Sequence, residues 1–373
     1  MKNLAEWSII HLFLALPGFQ LTRRWLGNMV GRTVAVIGAG VAGLTAALEL
    51  TRFGFHVDII EKAAFAGGHA VRLACKATDR CVSCGACIVH QKLAQAAAEP
   101  EVRIFTESRI EKISKSKNFE IKLTQKAADS DPTQLSLKAA AVIWATGFSV
   151  FSPQNKPYGY GVFKNVITNL ELEDLMREEG RATRPLDRRV ARSVAFIQCV
   201  GSRDAKLNHL WCSKFCCGSA LRMANLIRAR EPQTQVSFFY IDLQSFGRDF
   251  EAFYRQVQEN VRMIRAIPGD IFQAEDGSLK VTFINNDTHE TVAERFDLVV
   301  LSAGMQPCKE NSELAAQLNL AAEDSGFVER AAGDPKGLPG VFVAGAADGP
   351  MTIAESIASA GAAALKTIKY LNA

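Results

Sequence analysis

Residues 33–61 read TVAVIGAGVAGLTAALELTRFGFHVDIIE, an order of strand, glycine turn, helix, strand and acid. Residues 34–37 form a short apolar run of the kind buried on both faces of a parallel sheet, and they give way to Gly38-Ala39-Gly40-Val41-Ala42-Gly43. Each glycine answers a separate steric demand. Gly38 permits the tight turn out of the strand, Gly40 removes the side chain where a pyrophosphate must approach the backbone, and Gly43 lets the helix pack closely on the sheet. An anion then rests on the helix N-terminus, where unpaired N–H groups and the dipole favour negative charge. Glu61 follows Gly38 by 23 residues, where a carboxylate can accept hydrogen bonds from a ribose. A lone G-x-G-x-x-G says little, because many glycine turns bind nothing. With both strands and the acid in register, the stretch predicts a dinucleotide site.

The chain has 373 residues, enough for two compact domains or one nested in another. Apolar residues are 48% and charged residues 22%, an ordinary soluble composition. The formal charge of +4 is too small and dispersed for nucleic acid. Eight of the nine cysteines fall in two clusters, Cys75, Cys81, Cys84, Cys87 and Cys199, Cys212, Cys216, Cys217, and Cys308 reads as structural. In a chain this long, such clusters point to metal or redox work in a reducing, cytoplasmic compartment rather than to a disulfide scaffold. Residues 1–30 carry an apolar patch at 7–16, stopped by Pro17-Gly18 and followed by Arg23-Arg24. The patch is too short to span a bilayer, and its arginines lie on the wrong side for an export signal. The favoured reading is a helix packed on the protein's own surface or on a dimer partner; the sharper one is an amphipathic helix peripheral to a membrane.

Taken in order, the chain predicts a helix at 88–98, a strand at 102–105, a meander at 110–114 and 119–123, a polar loop at 125–132, and a buried strand at 141–144 ending in Ala145-Thr146-Gly147. A second strand-helix-strand series follows: strands at 193–197, 236–241 and 298–302, helices at 218–230 and 249–259. The tail returns to a buried strand at 341–345 and a long Ala-rich helix at 353–371. The expected division is 1–30 extension, 31–170 first part of a nucleotide domain, 171–192 connection, 193–302 inserted Rossmann-like domain, and 303–373 second part of the nucleotide domain, the two domains being related by duplication.

The duplicated unit has lost its glycines. Its strand runs into Gln198-Cys199-Val200-Gly201-Ser202-Arg203, with Cys199 where the turn glycine is expected, which disfavours a nicotinamide site. Four thiolates at Cys199, Cys212, Cys216 and Cys217 are the usual number for a [4Fe-4S] cluster, and Arg203, Lys206, Lys214 and Arg222 could offset its charge. Zinc also takes four cysteines, but the adjacent pair Cys216-Cys217 fits zinc-ribbon spacing poorly; buried structural cysteines are the plainer alternative. The first cluster contains C-x2-C-x2-C, a ferredoxin spacing, and also lies after Gly67-Gly68, where flavin disulfide reductases carry a dithiol. Metal and dithiol remain comparable for Cys84 and Cys87, with Cys75 and Cys81 as further thiols. His69 and Lys92 flank this region and could meet a flavin ring, although an ordinary packed histidine and a solvated lysine are the favoured readings of each taken alone. No hydrolytic acid–base dyad is visible, so no catalytic residue is assigned.

The segments CVGSRDAKLNHLWCSKFCC, YGYGVFKNVITNLELEDL, FYIDLQSFGRDFEAFY and GVFVAGAADGP resemble the A subunits of heterodisulfide reductases and their relatives. The resemblance runs from about Val34 onward. It implies an α/β two-dinucleotide-binding-domain flavoprotein, thioredoxin-reductase-like, whose FAD domain is split by the inserted domain. FAD is implied at Gly38, Gly40, Val41, Ala42 and Gly43, at Glu61 and Lys62, and at Gly67, Gly68 and His69. Adenine contacts are implied near Ile110 and further contacts at Ala145, Thr146 and Gly147. Related flavoproteins have Gly-Asp where this chain has Gly345-Ala346, so the ribityl chain must be held otherwise, with Thr352 and Ile353 nearby. The same resemblance implies a [4Fe-4S] cluster on Cys199, Cys212, Cys216 and Cys217, a homodimer, and B- and C-like iron-sulfur partner subunits. Only the thioredoxin-reductase-like core is matched, which shifts weight toward the short A subunits of sulfur-oxidising bacteria or of the quinone-interacting oxidoreductase of sulfate reducers. The expected role is electron transfer in sulfur metabolism; the alternative is a self-contained NAD(P)H-dependent disulfide reductase using Cys84 and Cys87.

Overall fold

The computed structural model describes residues 32–127, 130–244, 250–318, 325–328 and 338–373; the expected N-terminal extension lies outside the described residues. The chain enters on β1 (Thr33–Ile37), α1 (Val41–Thr51) and β2 (His56–Ile60), then passes through a cysteine-bearing loop to α2 (Ala86–Ala98) and β3 (Val102–Phe105). A meander of β4 (Ser108–Lys115), β5 (Phe119–Ala127) and β6 (Ser130–Ala139) leads to β7 (Ala141–Trp144) and the short β8 (Phe148–Val150). The second unit comprises β9 (Val166–Thr168), α3 (Asn169–Glu178), β10 (Ser193–Val200), α4 (Cys216–Arg230), β11 (Gln235–Phe239), α5 (Phe250–Gln258) and β12 (Arg262–Ile264). It continues through β13 (Ile271–Gln273), β14 (Leu279–Ile284), β15 (Thr291–Phe296) and β16 (Leu298–Ala303). The return runs over β17 (Met305–Pro307), α6 (Glu310–Gln317), β18 (Val341–Val343) and α7 (Ile353–Leu371).

Duplication is written in the strand order. One parallel sheet runs β3-β2-β1-β7-β18 and the other β12-β11-β10-β16-β9, each with its first βαβ strand in the centre and a three-stranded meander entered from its edge strand. The first sheet is completed only by β18, after the second unit has been traversed, so the second unit is nested in the first. The chain crosses between them on paired strands: β8 and β17 form an antiparallel ribbon, Ser149 facing Gln306.

Three expectations need correction. The polar loop at 125–132 is mostly strand: β5 continues to Ala127 and β6 begins at Ser130. Pro132 is tolerated because β6 is an edge strand, so the missing N–H interrupts no second ladder. The division at 170/171 falls inside α3, and β9, assigned by sequence to the first part, pairs with β16 in the second sheet. Finally, Ile37 pairs with Ile60 and Trp144 as Ile197 pairs with Phe239 and Leu301, so Gln198, not Cys199, occupies the place of Gly38. A bulge between Ile197 and Val200 separates the two readings.

Small residues bring the layers together around β1. Ala46, Ala47 and Leu50 of α1 share a core with Ala360, Ala363 and Ala364 of α7, and the absence of larger side chains lets the helices approach closely. Among the described residues, no helix is long and apolar enough to cross a membrane.

Candidate dinucleotide groove and cysteine pocket

The groove forms at the C-terminal ends of the neighbouring strands β1 and β7, whose connections run in opposite directions along the sheet, β1 to β2 and β7, by way of the second unit, to β18. Gly38 has φ +105°, and a β-carbon there would lie 2.4 Å from the Ala145 carbonyl oxygen. On Gly43 it would lie 1.9 Å from the Gly38 oxygen. Gly40 and Gly147, by contrast, would carry a β-carbon into open space, with nothing within 4 Å. Two glycines therefore close the turn and two leave room beside it. The first turn of α1 has no side-chain cap and no acid, which leaves its amides for an anion. Val41 and Ala42 begin that turn, and a β-carbon on Gly345 would stand 2.5 Å from the Ala42 Cβ, which brings Gly345-Ala346 against it.

Glu61 is buried, and its two carboxylate oxygens accept from the Ala39 N–H at 2.8 Å and the Ala63 N–H at 2.9 Å. These bonds fix the carboxylate beside the turn; each oxygen keeps a lone pair for a further donor. Gly67 donates its N–H to the Ala39 carbonyl at 2.8 Å, and the place of a β-carbon on Gly68 is 3.1 Å from the Gly40 Cα, so the glycine pair covers the same turn. The Ser108 N–H binds the Glu61 carbonyl at 2.9 Å, which sets the start of β4, and Ile110 within it, beside the acid.

The returning chain adds residues that sequence reasoning passed over. Trp144 Nε1 donates to Thr146 Oγ1 at 2.7 Å, and that hydroxyl donates to Asn311 Oδ1 at 2.8 Å. The Cys308 thiol donates to the Thr146 carbonyl at 3.5 Å, and Lys62 pairs with Glu310 at 2.9 Å. The 308–311 segment thus fastens the far side of the groove, although nothing local in its sequence marks it. Lys92 does not meet the groove: its charged neighbours are Glu49 and Arg52, at the end of α1 opposite the glycine turn.

In the second unit the tight turn is replaced by a loop from Gly201 to Phe215, held to β17 by Trp211 Nε1 donating to the Met305 carbonyl at 2.9 Å and the Met305 N–H donating to Ser213 Oγ at 2.8 Å. Cys199, Arg203, Asn208 and Lys214 all have positive φ, between 55° and 64°. Such left-handed non-glycine residues persist where surroundings over-determine them. Cys199, Cys212, Cys216 and Cys217 share one neighbourhood. Burial, then the nearby Cys217, pushes the Cys199 thiol up to about 11, and burial followed by the other thiols raises Cys216 well above its ordinary value. Arg203 is paired with Asp242 and also bonds Cys199; Lys214 pairs with Glu355 at 3.1 Å, and its N–H donates to Cys212 Sγ at 3.2 Å. Among the described residues no three potential ligands are gathered at metal-binding distance. The donor chemistry of these four thiols, with an N–H···S bond at Cys212, is nevertheless of the kind an iron-sulfur cluster takes. In the first cysteine loop, Cys75, Cys81 and Cys87 are exposed and Cys84 is half-buried.

These parts meet at the start of α7. The place of a β-carbon on Gly85, between Cys84 and Cys87, lies 3.5 Å from the Ile353 side chain, and Glu355, one turn in, holds Lys214 of the other cysteine loop. Thr352 caps the helix, its Oγ1 accepting the Glu355 N–H at 3.2 Å. A ring series crosses the same gap: His69 to Phe148 at 4.7 Å between centroids, then Phe148 to Phe215 at 6.2 Å, with Phe215 next to Cys216.

His69 donates Nε2–H to the Phe148 carbonyl at 2.9 Å, and burial, with Arg72 and Lys62 nearby, lowers its pKa although that carbonyl and Glu61 pull it up. A histidine held neutral contributes stability that is present above the unfolded value near 6.5 and lost as pH falls through the folded one. Denaturant midpoints measured from pH 7.5 downward should therefore fall below pH ~6.5, and His69→Asn should lack that component; parallel profiles would contradict the assignment.

Residues 32–190 match the pyridine nucleotide-disulphide oxidoreductase family. The thioredoxin reductases of T. acidophilum and Lactococcus lactis have the same fold, with TM-scores of 0.59 and 0.61 at 18% and 17% identity, over 91% of this chain and 98% and 99% of theirs. The fold is thus of thioredoxin-reductase-like architecture. Within that class the chain is similar to the A subunits of heterodisulfide reductases. It is 30% identical to the A subunit of the ferredoxin/F(420)H(2)-dependent CoB-CoM heterodisulfide reductase of Methanosarcina acetivorans, over 100% of this chain and 57% of that one. It is 31% identical to the iron-sulfur A subunit of the CoB–CoM heterodisulfide reductase of Methanocaldococcus jannaschii, over 90% of this chain and 64% of that one. The chain therefore spans about three-fifths of the relatives' length.

Proposed function

We propose that the chain is an electron-relay component of a heterodisulfide-reductase-like complex in sulfur metabolism, with FAD in the first groove and a [4Fe-4S] cluster on Cys199, Cys212, Cys216 and Cys217. Bound FAD would supply two-electron chemistry and the cluster one-electron chemistry, so that reducing equivalents can be split between partners. What carries the reading is the convergence on α7: one helix start touches both cysteine loops, and a line of rings joins the Gly67-Gly68 turn to Phe215.

The chain's own residues do the holding. Gly40 and Gly147 leave room for the pyrophosphate, the α1 amides bind its charge, and Glu61 accepts from the ribose. Lys214 and Arg203 keep N–H donors against the thiols. Substrate chemistry on thiols or disulfides lies with B- and C-like iron-sulfur partners, the chain working as a cytoplasmic homodimer.

Anaerobic purification with iron, acid-labile sulfide and flavin assays tests this. Cys212→Ala should lose most of the iron and sulfide while keeping FAD. Retention of the full iron complement in that variant would overturn the ligand assignment.

A further inference from the structure

Among the described residues of the second unit, two buried polar side chains have no partner. Gln198 is 7% exposed with neither Nε2 nor Oε1 hydrogen-bonded, and Ser302 is 0% exposed with a lone Oγ. An unpaired polar group in a dry interior is costly, so together they mark a place that expects an occupant. Their position follows from alternation. Val194 and Phe196 of β10, with Leu298 and Val300 of β16, share a core with Ala220, Leu221 and Ala224 of α4. Two residues further along each strand, Gln198 and Ser302 fall on that same face, at the strand ends. α4 begins there with Cys216 and Cys217, its N-terminus uncapped by any side chain, and Cys199 follows Gln198 directly. The tandem of orphaned amide and orphaned hydroxyl thus sits on the side of the sheet that α4 covers, at the end where that helix begins with Cys216 and Cys217.

We infer that the Gln198 carboxamide, assisted by the Ser302 hydroxyl, donates hydrogen bonds to the sulfur-rich group held by Cys199, Cys212, Cys216 and Cys217, and so sets its reduction potential. The inference rests on the cluster reading above. Its physical basis is that reduction adds negative charge to the sulfurs, and an N–H or O–H donor aimed at them stabilises the reduced form more than the oxidised one. Both are positioning residues, since neither is a ligand. Burial makes each donor effective, because no water competes for it. The place that Gly38 occupies in the first unit, where a side chain is forbidden, is in the second unit used for one.

The test is an EPR-monitored redox titration of the full chain, purified anaerobically, for wild type, Q198L and S302A, with iron, sulfide and FAD assayed in each. Q198L should keep FAD and cluster while the reduced-to-oxidised ratio at the wild-type midpoint falls about tenfold, which for a one-electron couple is about 59 mV to more negative potential. S302A should shift in the same direction by less. Wild-type potentials in both variants, with iron and sulfide intact, would overturn the inference and leave the cluster standing. If Q198L cannot hold iron, S302A decides by the same criterion. A wild-type chain without iron and sulfide would remove the cluster reading and this inference together. A purely structural role predicts altered melting with an unmoved potential, which counts against it.

Discussion

Lys76→Met is expected to destabilise the folded chain by about 3–5 kcal/mol, the range for breaking a buried ion pair from one side. The Lys76 ammonium lies 2.7 Å from Glu173 Oε1, with the two side chains 2% and 3% exposed. Glu173 also accepts from the Ala74 N–H at 2.8 Å and from Ser219 Oγ at 3.1 Å, and the ammonium donates to the Ala74 carbonyl at 3.2 Å. Methionine fills the space but leaves a carboxylate in the interior with two neutral donors. Hydrophobic gain cannot offset that, since full burial of a Met side chain stabilises by only about 1.5–3 kcal/mol and the lysine stem is already buried. Lys76→Met/Glu173→Gln should recover part of the loss, because no net charge then remains inside. Urea unfolding of the three proteins checks this; a single variant within about 1 kcal/mol of wild type would mean that solvent reaches the pair. The expected location of damage is also specific. The pair ties residues 74–76, including Cys75, to α3 and α4, so the first cysteine loop should become protease-sensitive before the sheets unfold.

The sequence makes the buried strands legible because they are short, wholly apolar and bounded by glycine, as at β1, β7 and β18. It shows β4 and the start of β5 but hides β6 and the second meander, whose strands face solvent on one side. β5 and β6 carry lysines, threonines and Pro132, a composition that reads as loop until an edge position is known. The bulge in β10 is likewise invisible, since Gln198 and Cys199 differ in role only through a register that partner strands impose. In the groove, the glycines and Glu61 are readable because each serves a local steric or charge demand. Asn311 and Glu310 are not, because they reach Thr146 and Lys62 only after the chain has traversed the second unit. Lys92 shows the complementary limit: helical periodicity says which residues share a face, but not how α2 lies across α1. The joining of both cysteine loops to the start of α7 is tertiary in the same sense.

Two adjacent glycine substitutions should separate folding from dinucleotide binding. Gly40 has φ −73° and ψ −176°, a conformation open to β-branched residues, and its added β-carbon meets nothing within 4 Å. Gly40→Val is therefore expected to leave the flavin-free protein within about 0.5 kcal/mol of wild type, since no contact is lost and no strain is introduced. The isopropyl group would nevertheless occupy the space beside the α1 amides, and a hundredfold loss of FAD affinity, roughly 2.8 kcal/mol, is the expected result. Gly43→Ala reverses the pattern. Its methyl would stand 1.9 Å from the Gly38 carbonyl oxygen and 3.1 Å from that carbon, both backbone atoms at the strand end. Alanine gains about 1 kcal/mol of helix propensity over glycine, but relief of the clash requires α1 to move off β1, for which overpacking penalties run to about 3 kcal/mol or more. Flavin-free Gly43→Ala should accordingly melt well below wild type, while flavin-free Gly40→Val melts with it. Fluorescence titration with FAD and calorimetry of the stripped proteins read the two effects independently. Wild-type FAD affinity in Gly40→Val would show that the space beside Gly40 is not where the dinucleotide lies, whatever the stability of Gly43→Ala.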